Sequence, residues 1–440
     1  MNYQPQQGNI GHIGIIATRL AGTDGVSLES AKIESILQET GSVCHYFAGE
    51  LDRPPERSYL VSEAHFAHPE ILSLNEKCFG TVQRSREVTR KIQRIKRLLK
   101  DHLYNFVEKF NIGMLMAQNS LTIPMNLPLG IALAEFIAET NLPTVAHHHD
   151  FYWERDRYSI NAVSDYLYMA FPPHLPSINH AVINSHADLQ LSLRTGISGR
   201  ILPNIMDFEN PPPPMDDYAA DARSALGIAD DELFILQPTR VVARKGIEHA
   251  IELVKRLGRK ARLVISHASG DEGHDYEKRL KEYARLMDVN TLFVTDIIGE
   301  MRGETEDGRK IYNLGDIYYH ADLVTYPSTF EGFGNAFLEA IYYRRPIVVN
   351  KYSIYTKDIK PKGFNAIELD GYVTEEAVEK TKRILDDPEL QQKMVDHNYE
   401  CAKKHFSYRI LRNRVKNFMA ENFWLYEKNY TPNNQNAGHT

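Results

Sequence analysis

Short apolar runs without an alternating polar face recur along the chain. They are "HIGIIATR", "IGMLMAQN", "TVAHHH", "HAVINS", "FILQPTR", "ARLVISHA", "TLFVTD", "ADLVTYP" and "RPIVVN". Between several of them lie segments with apolar residues three and four apart, which read as helices. "VSLESAKIESILQET" stops at Gly41, and "PLGIALAEFIAETNLP" is closed by Asn-Leu-Pro; "KGIEHAIELVKRL" is a third. Strands without a polar face, alternating with helices, belong to parallel sheets covered on both sides. The pattern predicts an α/β chain.

The alternation breaks at "IMDFENPPPPMDDYAADA", where four consecutive prolines, Pro211 to Pro214, cannot enter a helix or a central strand and stiffen a linker. A chain of 440 residues also exceeds what one core ordinarily organises. The expected division is an N-terminal Rossmann-like domain over 1–208, a proline-rich linker over 209–218 and a second Rossmann-like domain over 219–410. A helix over 411–428 crossing back to the first domain and a disordered tail over 429–440, "NYTPNNQNAGHT", complete it. Ligands of open α/β sheets sit beyond the carboxyl ends of strands, so two such domains facing each other would enclose a cleft.

Composition narrows the function classes. Hydrophobic content of 42%, charged content of 25% and a net charge of −7 describe a globular chain that is not built around nucleic acid. Cys44, Cys78 and Cys401 lie far apart and form neither a disulfide framework nor a zinc motif, which suits a reducing compartment. The start "MNYQPQQGNI" lacks a signal-peptide pattern, and no run approaches the roughly 20 apolar residues of a membrane span. A cytoplasmic location is expected; oligomeric state is not legible.

Candidate chemistry gathers at strand ends. "PSTFEGFGNAFLEA" sets Glu331 and Glu339 around a Gly-Phe-Gly turn. The glycines let backbone amides approach a ligand, and a helix starting there offers its positive end. Helix rise over eight positions would separate the acids by about 12 Å, roughly the length of a sugar–diphosphate–ribose unit. Arg240 and Lys245 in "PTRVVARKG" follow another strand and suit a diphosphate, with Arg244 between them read as solvent-exposed. "AGTDGVSLES" offers a weaker anion site at Gly22 and Gly25; it is neither a dinucleotide fingerprint nor a Walker loop. "VAHHHDFYWERDRY" is dense in polar and aromatic groups. Its three histidines alternate in direction along a strand, so at most two share a face and a metal site is disfavoured. One histidine and Asp150 are expected to touch a substrate, with Tyr152, Trp153 and Arg155 lining its cleft. "RSREVTRKIQRIKRLLK", residues 84–100, is a basic amphipathic helix suited to a solvated face, an anionic acceptor or, less readily, an acidic membrane surface.

The order of these pieces resembles family 4 retaining glycosyltransferases of the GT-B fold, over nearly the whole chain. "HHHD" resembles that family's His-Asp strand end, "ILPNIMDF" its Pro-Asn turn, and "YYHADLVTYPSTFEGFGNAFLEAIYYRRPIVVN" its most specific signature. The resemblance implies a hexose moved from a nucleotide-diphosphate sugar to a hydroxyl. Arg240 and Lys245 would bind the diphosphate and stabilise its developing charge. Glu331, with the amides of Gly332, Phe333 and Gly334, would hold the hexose beside Asn335, and Glu339 would hold the ribose. His149 would meet the sugar and Gly25 would lie near the diphosphate. His148, Asp150, Tyr152, Trp153 and Arg155 would face the acceptor, and alignment by eye leaves His148 and His149 interchangeable. No protein nucleophile and no cofactor is required; a divalent metal is compatible but not implied. Arg344-Arg345 stands where the family has small residues, putting local packing in question. "GTDGVSLE" with "HHHDFYWERDR" resembles a subgroup that glycosylates small anionic glycosides, the mannosylglucosylglycerate-synthase type, with GDP-mannose or UDP-glucose as the donor. The alternatives are a lipid or polysaccharide acceptor at a membrane surface, or a non-catalytic sugar-nucleotide-binding protein.

Overall fold

The computed structural model describes residues 9–22, 25–267, 274–294, 296–299 and 301–430, so the expected disordered tail lies outside it from residue 431 onward. The chain divides into two units, Met1–Pro203 with Leu411–Thr440, and Asn204–Ile410.

In the first unit, seven strands form one parallel sheet: β1 (Asn9–Ile16), β2 (Val43–Ala48), β3 (Ser58–Leu60), β4 (Ile112–Gln118), β5 (Thr144–His148), β6 (Ile178–Val182) and β7 (Gly199–Ile201), in the order β3-β2-β1-β4-β5-β6-β7. All seven residues of β4 are buried, which is why its sequence shows no alternation. The helix Arg86–Phe110 begins at Ser85, whose hydroxyl accepts the Val88 amide, and ends at Asn111 in the left-handed conformation. Val88, Ile92, Ile95, Leu99 and Leu103 enter the core along one stripe. Of the eight cations between 84 and 100, five are ion-paired within the unit: Arg84 with Asp165, Lys91 and Arg94 with Glu70, Lys96 with Glu135, and Lys100 with Glu135 and Glu139. Much of this charge therefore fastens the helix to its neighbours. The chain from Leu411 groups with the first unit, where Arg412 meets Glu39 at 2.9 Å.

In the second unit, β8 (Leu233–Gln237), β9 (Ala261–Ile265) and β10 (Thr291–Phe293) lead to a small separate sheet of β11 (Ile298–Gly299), β12 (Gly303–Glu304) and β13 (Lys310–Asn313). The chain then returns with β14 (Leu323–Tyr326), β15 (Ile347–Asn350) and β16 (Ile367–Leu369), giving a parallel sheet in the order β10-β9-β8-β14-β15-β16. The small sheet has strands of two to four residues, too short to leave a period in sequence. Pro211 to Pro214 lie along a cavity of about 410 Å³ with Tyr319, Tyr343, Arg344 and Arg345, and the Tyr319 hydroxyl donates to the Pro213 carbonyl. Arg344, at φ 52°, pairs with Asp396 and lies over the Tyr399 ring, while Arg345 donates to the Ala321 carbonyl. The two arginines thus take the place of small residues through specific partners.

Both sheets reverse direction once. The reversal falls between β1 and β4 in the first unit and between β8 and β14 in the second. Adjacent crossovers there leave on opposite faces, opening a crevice at the carboxyl ends of those strands. The expected α/β architecture of two Rossmann-like units is what the structure shows.

Candidate active site

The second unit's reversal point gathers charge. After β8 the chain passes Arg240 and a single turn, Ala243–Lys245, and enters the helix Ile247–Leu257 through Gly246. Gly246 sits at φ 59°, and a Cβ there would lie 2.6 Å from the Pro327 carbonyl oxygen. Only glycine lets this loop reach the segment following β14. Thr329 then donates its amide (2.9 Å) and its hydroxyl (3.1 Å) to the Arg244 carbonyl, stitching the two loops together.

The stitch sets two cations, Lys245 and Arg244, on one carboxylate, with Arg240 near Lys245. Lys245, 8% exposed, ion-pairs with Glu331, 7% exposed, and Arg244 reaches the other Glu331 oxygen at 3.1 Å. The Lys245 ammonium also lies 5.6 Å from the centre of the Tyr326 ring. Burial pushes the Glu331 carboxyl up, but Lys245 and Arg244 outweigh it and hold it below the usual glutamate value. Burial, with Arg244 and Arg240, pulls Lys245 down despite its carboxylate partner. Both shifts are downward because these cations outnumber the acid: Arg240, Arg244 and Lys245 against Glu331 sum to +2. Arg244 is therefore not the solvated residue expected from sequence but Glu331's second partner. His267, just past β9, belongs to the same neighbourhood, since burial, Arg240 and Lys245 all depress its pKa.

The helix that follows starts at Asn335, later than the sequence suggested. Glu331 lies in the loop before it and only Glu339 is helical, so helix rise alone does not set the distance between them. Gly334 precedes the helix at φ 117°, and a Cβ there would meet the Tyr352 hydroxyl at 2.4 Å. Phe333 is 3% exposed, packs its ring on Phe406 and accepts the Tyr352 hydroxyl at its carbonyl (2.8 Å), so its side chain belongs to the core. Asn335 accepts from Asn204 (2.7 Å), and the Tyr318 hydroxyl donates to Glu339 at 3.1 Å.

In the first unit the reversal point is neutral and hydrogen-bonded. The β1 side carries Gly22, whose amide donates to Asp52 (2.8 Å), and Gly25, where the helix Gly25–Glu39 begins; Thr23 and Asp24 lie outside the described residues. At the end of β4, Gln118 and Asn119 contact the turn after β5. The Gln118 amide oxygen lies 2.9 Å from His147 Nδ1 and 3.3 Å from His149 Nε2. Asn119, at φ 57°, accepts the His149 amide (3.2 Å) and donates to Asp150 (3.1 Å), which also pairs with Arg155.

The histidines alternate as strand geometry requires. His147 and His149 share a side, with ring centres 4.4 Å apart, and His148 points the other way. His148 is 0% exposed and held between Thr122 (2.5 Å) and His180 (2.9 Å). This corrects the expectation that His148 faces an acceptor: it has no surface to offer one, and His149 is the half-exposed member. Burial holds His147 and His148 well below the ordinary histidine value, and His180 at about 4. Trp153 stacks on Phe151 at 4.4 Å and packs with Val182, Leu191 and Ile197, while Tyr152 packs against the main core. Their rings are committed largely to packing. Gln118, Asn119 and His267 were missed in the sequence; the readable signal was a polar pair directly after a wholly apolar strand. Among the described residues, no group of three or more His, Cys, Asp or Glu is arranged to hold a metal ion, and no helix is long and apolar enough to cross a membrane.

Known proteins show the same organisation. Residues 219–400 match the family model described as glycosyl transferases group 1. Mannosylglucosylglycerate synthase of Petrotoga mobilis is 31% identical over 377 residues, covering 81% of this chain and 86% of that protein. The Thermotoga maritima protein of the same name is 31% identical over 428 residues, covering 90% and 96%. Sucrose-phosphate synthase from Thermosynechococcus elongatus shares the fold with a TM-score of 0.66 at 14% identity, over 94% of this chain and 99% of that one. With two Rossmann-like units, and relatives matched along most of its length, the chain belongs to the group 1 glycosyltransferases of the GT-B fold, nucleotide-sugar-dependent hexosyltransferases, in the mannosylglucosylglycerate-synthase-like subgroup.

Proposed function

We propose that the protein transfers a hexose, with retention of anomeric configuration, from GDP-mannose or UDP-glucose to a glucosylglycerate-type acceptor. The observation that carries this reading is the buried Lys245–Glu331 pair with the part-exposed Arg244 on the same carboxylate and the exposed Arg240 nearby, whose excess positive charge calls for an anion at the carboxyl ends of β8 and β14. A nucleotide diphosphate supplies one, and its charge grows as the glycosidic bond breaks, so fixed cations stabilise the transition state more than the ground state. Glu339 takes the ribose hydroxyls, and Glu331 takes the hexose hydroxyls while holding Lys245 in place. His149 and Asp150 serve the transferred sugar and the acceptor.

In the reaction, the bond from the anomeric carbon to the phosphate oxygen breaks. The acceptor oxygen bonds to that carbon on the same face, and its proton passes to the departing diphosphate. Charge balances without a protein nucleophile. The name of the curated relatives supports mannosyl transfer onto glucosylglycerate in particular.

The test is incubation with each donor and glucosylglycerate, with the product's anomeric configuration and linkage read by NMR. A retained linkage is expected, and Lys245→Ala should lower kcat/KM by about 100- to 1000-fold while the melting curve stays cooperative. Inverted product, or normal turnover by that variant, overturns the reading.

A further inference from the structure

The cavity of about 410 Å³ beside the proline segment belongs to a different end of the second unit from the cation cluster. Asp322 lines it at the amino end of β14, the strand whose carboxyl end leads to Glu331. Pro211 to Pro214, Tyr319 and Tyr343 give it apolar walls, and Arg344, Arg345 and Gln391 bring polar groups. The Tyr319 hydroxyl is engaged by the Pro213 carbonyl, which ties the proline segment to this wall. Arg345 is the group that this packing leaves without a counter-charge. Among the described residues its bonds are to backbone carbonyls alone: Nε donates to Tyr343 (3.0 Å) and Nη1 to Ala321 (3.2 Å). A guanidinium has five N–H donors, so three remain, one on Nη1 and both on Nη2. Burial pulls Arg345 down, and Asp322 and Tyr319 only partly offset it. The nearby acids have cations of their own. Asp396 pairs with Arg344, while Asp322 lies 3.6 Å from Arg223 and accepts the Phe234 amide (2.7 Å). Three cations against two acids leave one positive charge over.

We propose that this cavity is a second ligand site, which takes a small oxyanion, phosphate or carboxylate, joined to a flat apolar body. The oxyanion meets the end of the Arg345 guanidinium, where the remaining N–H groups of Nη1 and Nη2 suit two oxygens at once. The apolar body lies against the proline and tyrosine rings, and Gln391 supplies an amide for a further polar group. Few polar groups set in apolar walls are the usual make-up of a small-molecule pocket, and the volume is within the range of such pockets. A part-buried cation without a counter-charge costs free energy, and an anionic ligand removes that cost. The site uses neither Lys245 nor Glu331, so it stands or falls independently of the proposed reaction.

The probes are inorganic phosphate, phenyl phosphate and benzoate, titrated into the full chain and followed by calorimetry and melting curves. Lys245→Ala serves as the background in which the other cation cluster is weakened. In that background phenyl phosphate or benzoate should still bind and raise the melting temperature, and the tighter of the two identifies the oxyanion. Arg345→Gln should weaken that binding by about 10- to 100-fold, the worth of charge-assisted hydrogen bonds. Tyr319→Leu should weaken phenyl phosphate and leave inorganic phosphate nearly unaffected, because only the ring needs that wall. If none of the three probes binds, or if folded Arg345→Gln binds them as tightly as the parent, the proposal is overturned. Should Arg345→Gln fail to melt cooperatively, a crystal structure with phenyl phosphate decides. Its phosphate on Arg345 supports the site, and its absence from the cavity refutes it.

Discussion

The two reversal points of this protein solve one geometric problem with opposite chemistry. In the second unit, Lys245 and Glu331 are buried as ions, with the part-exposed Arg244 on the same carboxylate, and are stabilised by one another. In the first, His147, His148 and His180 are buried neutral, with hydrogen bonds to Gln118, Thr122 and each other. An ion network costs desolvation, which the proximity of opposite charge offsets, so removing a member leaves an uncompensated charge. A neutral network costs less to bury but excludes protons, so acidity is what disrupts it. A site that must receive a diphosphate benefits from the first arrangement. A site that must meet sugar hydroxyls benefits from the second.

The comparison breaks most visibly at Glu331. Glu331→Gln should destabilise the second unit by about 3 kcal/mol, because Lys245 and Arg244 then face each other without their carboxylate. Denaturant unfolding checks this, and a diphosphate added to the variant should restore part of the loss by supplying the missing negative charge. In the neutral network, His148→Ala should cost about 2 kcal/mol through a cavity and the lost contacts to Thr122 and His180, while His149→Ala should leave the melting temperature within a degree or two and abolish transfer. Equal destabilisation by the two alanine variants would erase the distinction drawn between the histidines.

A pH scan sharpens the contrast further. Burial depresses the folded-state pKa of His147, His148 and His180, the last to about 4. Between the unfolded histidine value of about 6.5 and that figure, the unfolded chain binds more protons, so the stability of the first unit is present above about pH 6.5 and falls as pH drops through this window. Glu331 is also depressed, but from 4.5, so its contribution disappears only at lower pH. Both tryptophans, Trp153 and Trp424, lie outside Asn204–Ile410, so melts followed by tryptophan fluorescence report the first unit and should lose temperature between pH 6.5 and 4. A flat profile in that range would contradict the buried neutral network. The smallest effect is expected on the helix Arg86–Phe110. Replacing Arg86, Arg90 and Arg97 together by Gln should change stability by no more than about 0.5 kcal/mol per site, whereas Glu135→Gln, which releases the nearly buried Lys96, should cost about 1 kcal/mol.

Much of this architecture was legible in the chain. β4, β8, β14 and β15 are bare apolar runs because parallel strands are covered on both faces, and "EGFGNAFLEA" marks the handover from strand to helix because the turn there requires glycine at Gly334. The alternation of His147, His148 and His149 also follows from strand geometry. Other features left no trace. The start of the helix at Asn335 rather than near Glu331 depends on how the loop packs against Tyr326 and Tyr352.

What the sequence determined by itself was local: which segments are strands, where glycine must stand, and which polar residues occur at strand ends. Tertiary structure decided which of those residues meet. The pairing of β8 with β14 brings Arg244 and Lys245 to Glu331, some 86 positions away, and the pairing of β4 with β5 brings Gln118 to His149. Periodicity reports the environment of each residue averaged over its own element. A salt bridge or a shared amide depends on two elements arriving side by side, and that is set by the order of strands in the sheet.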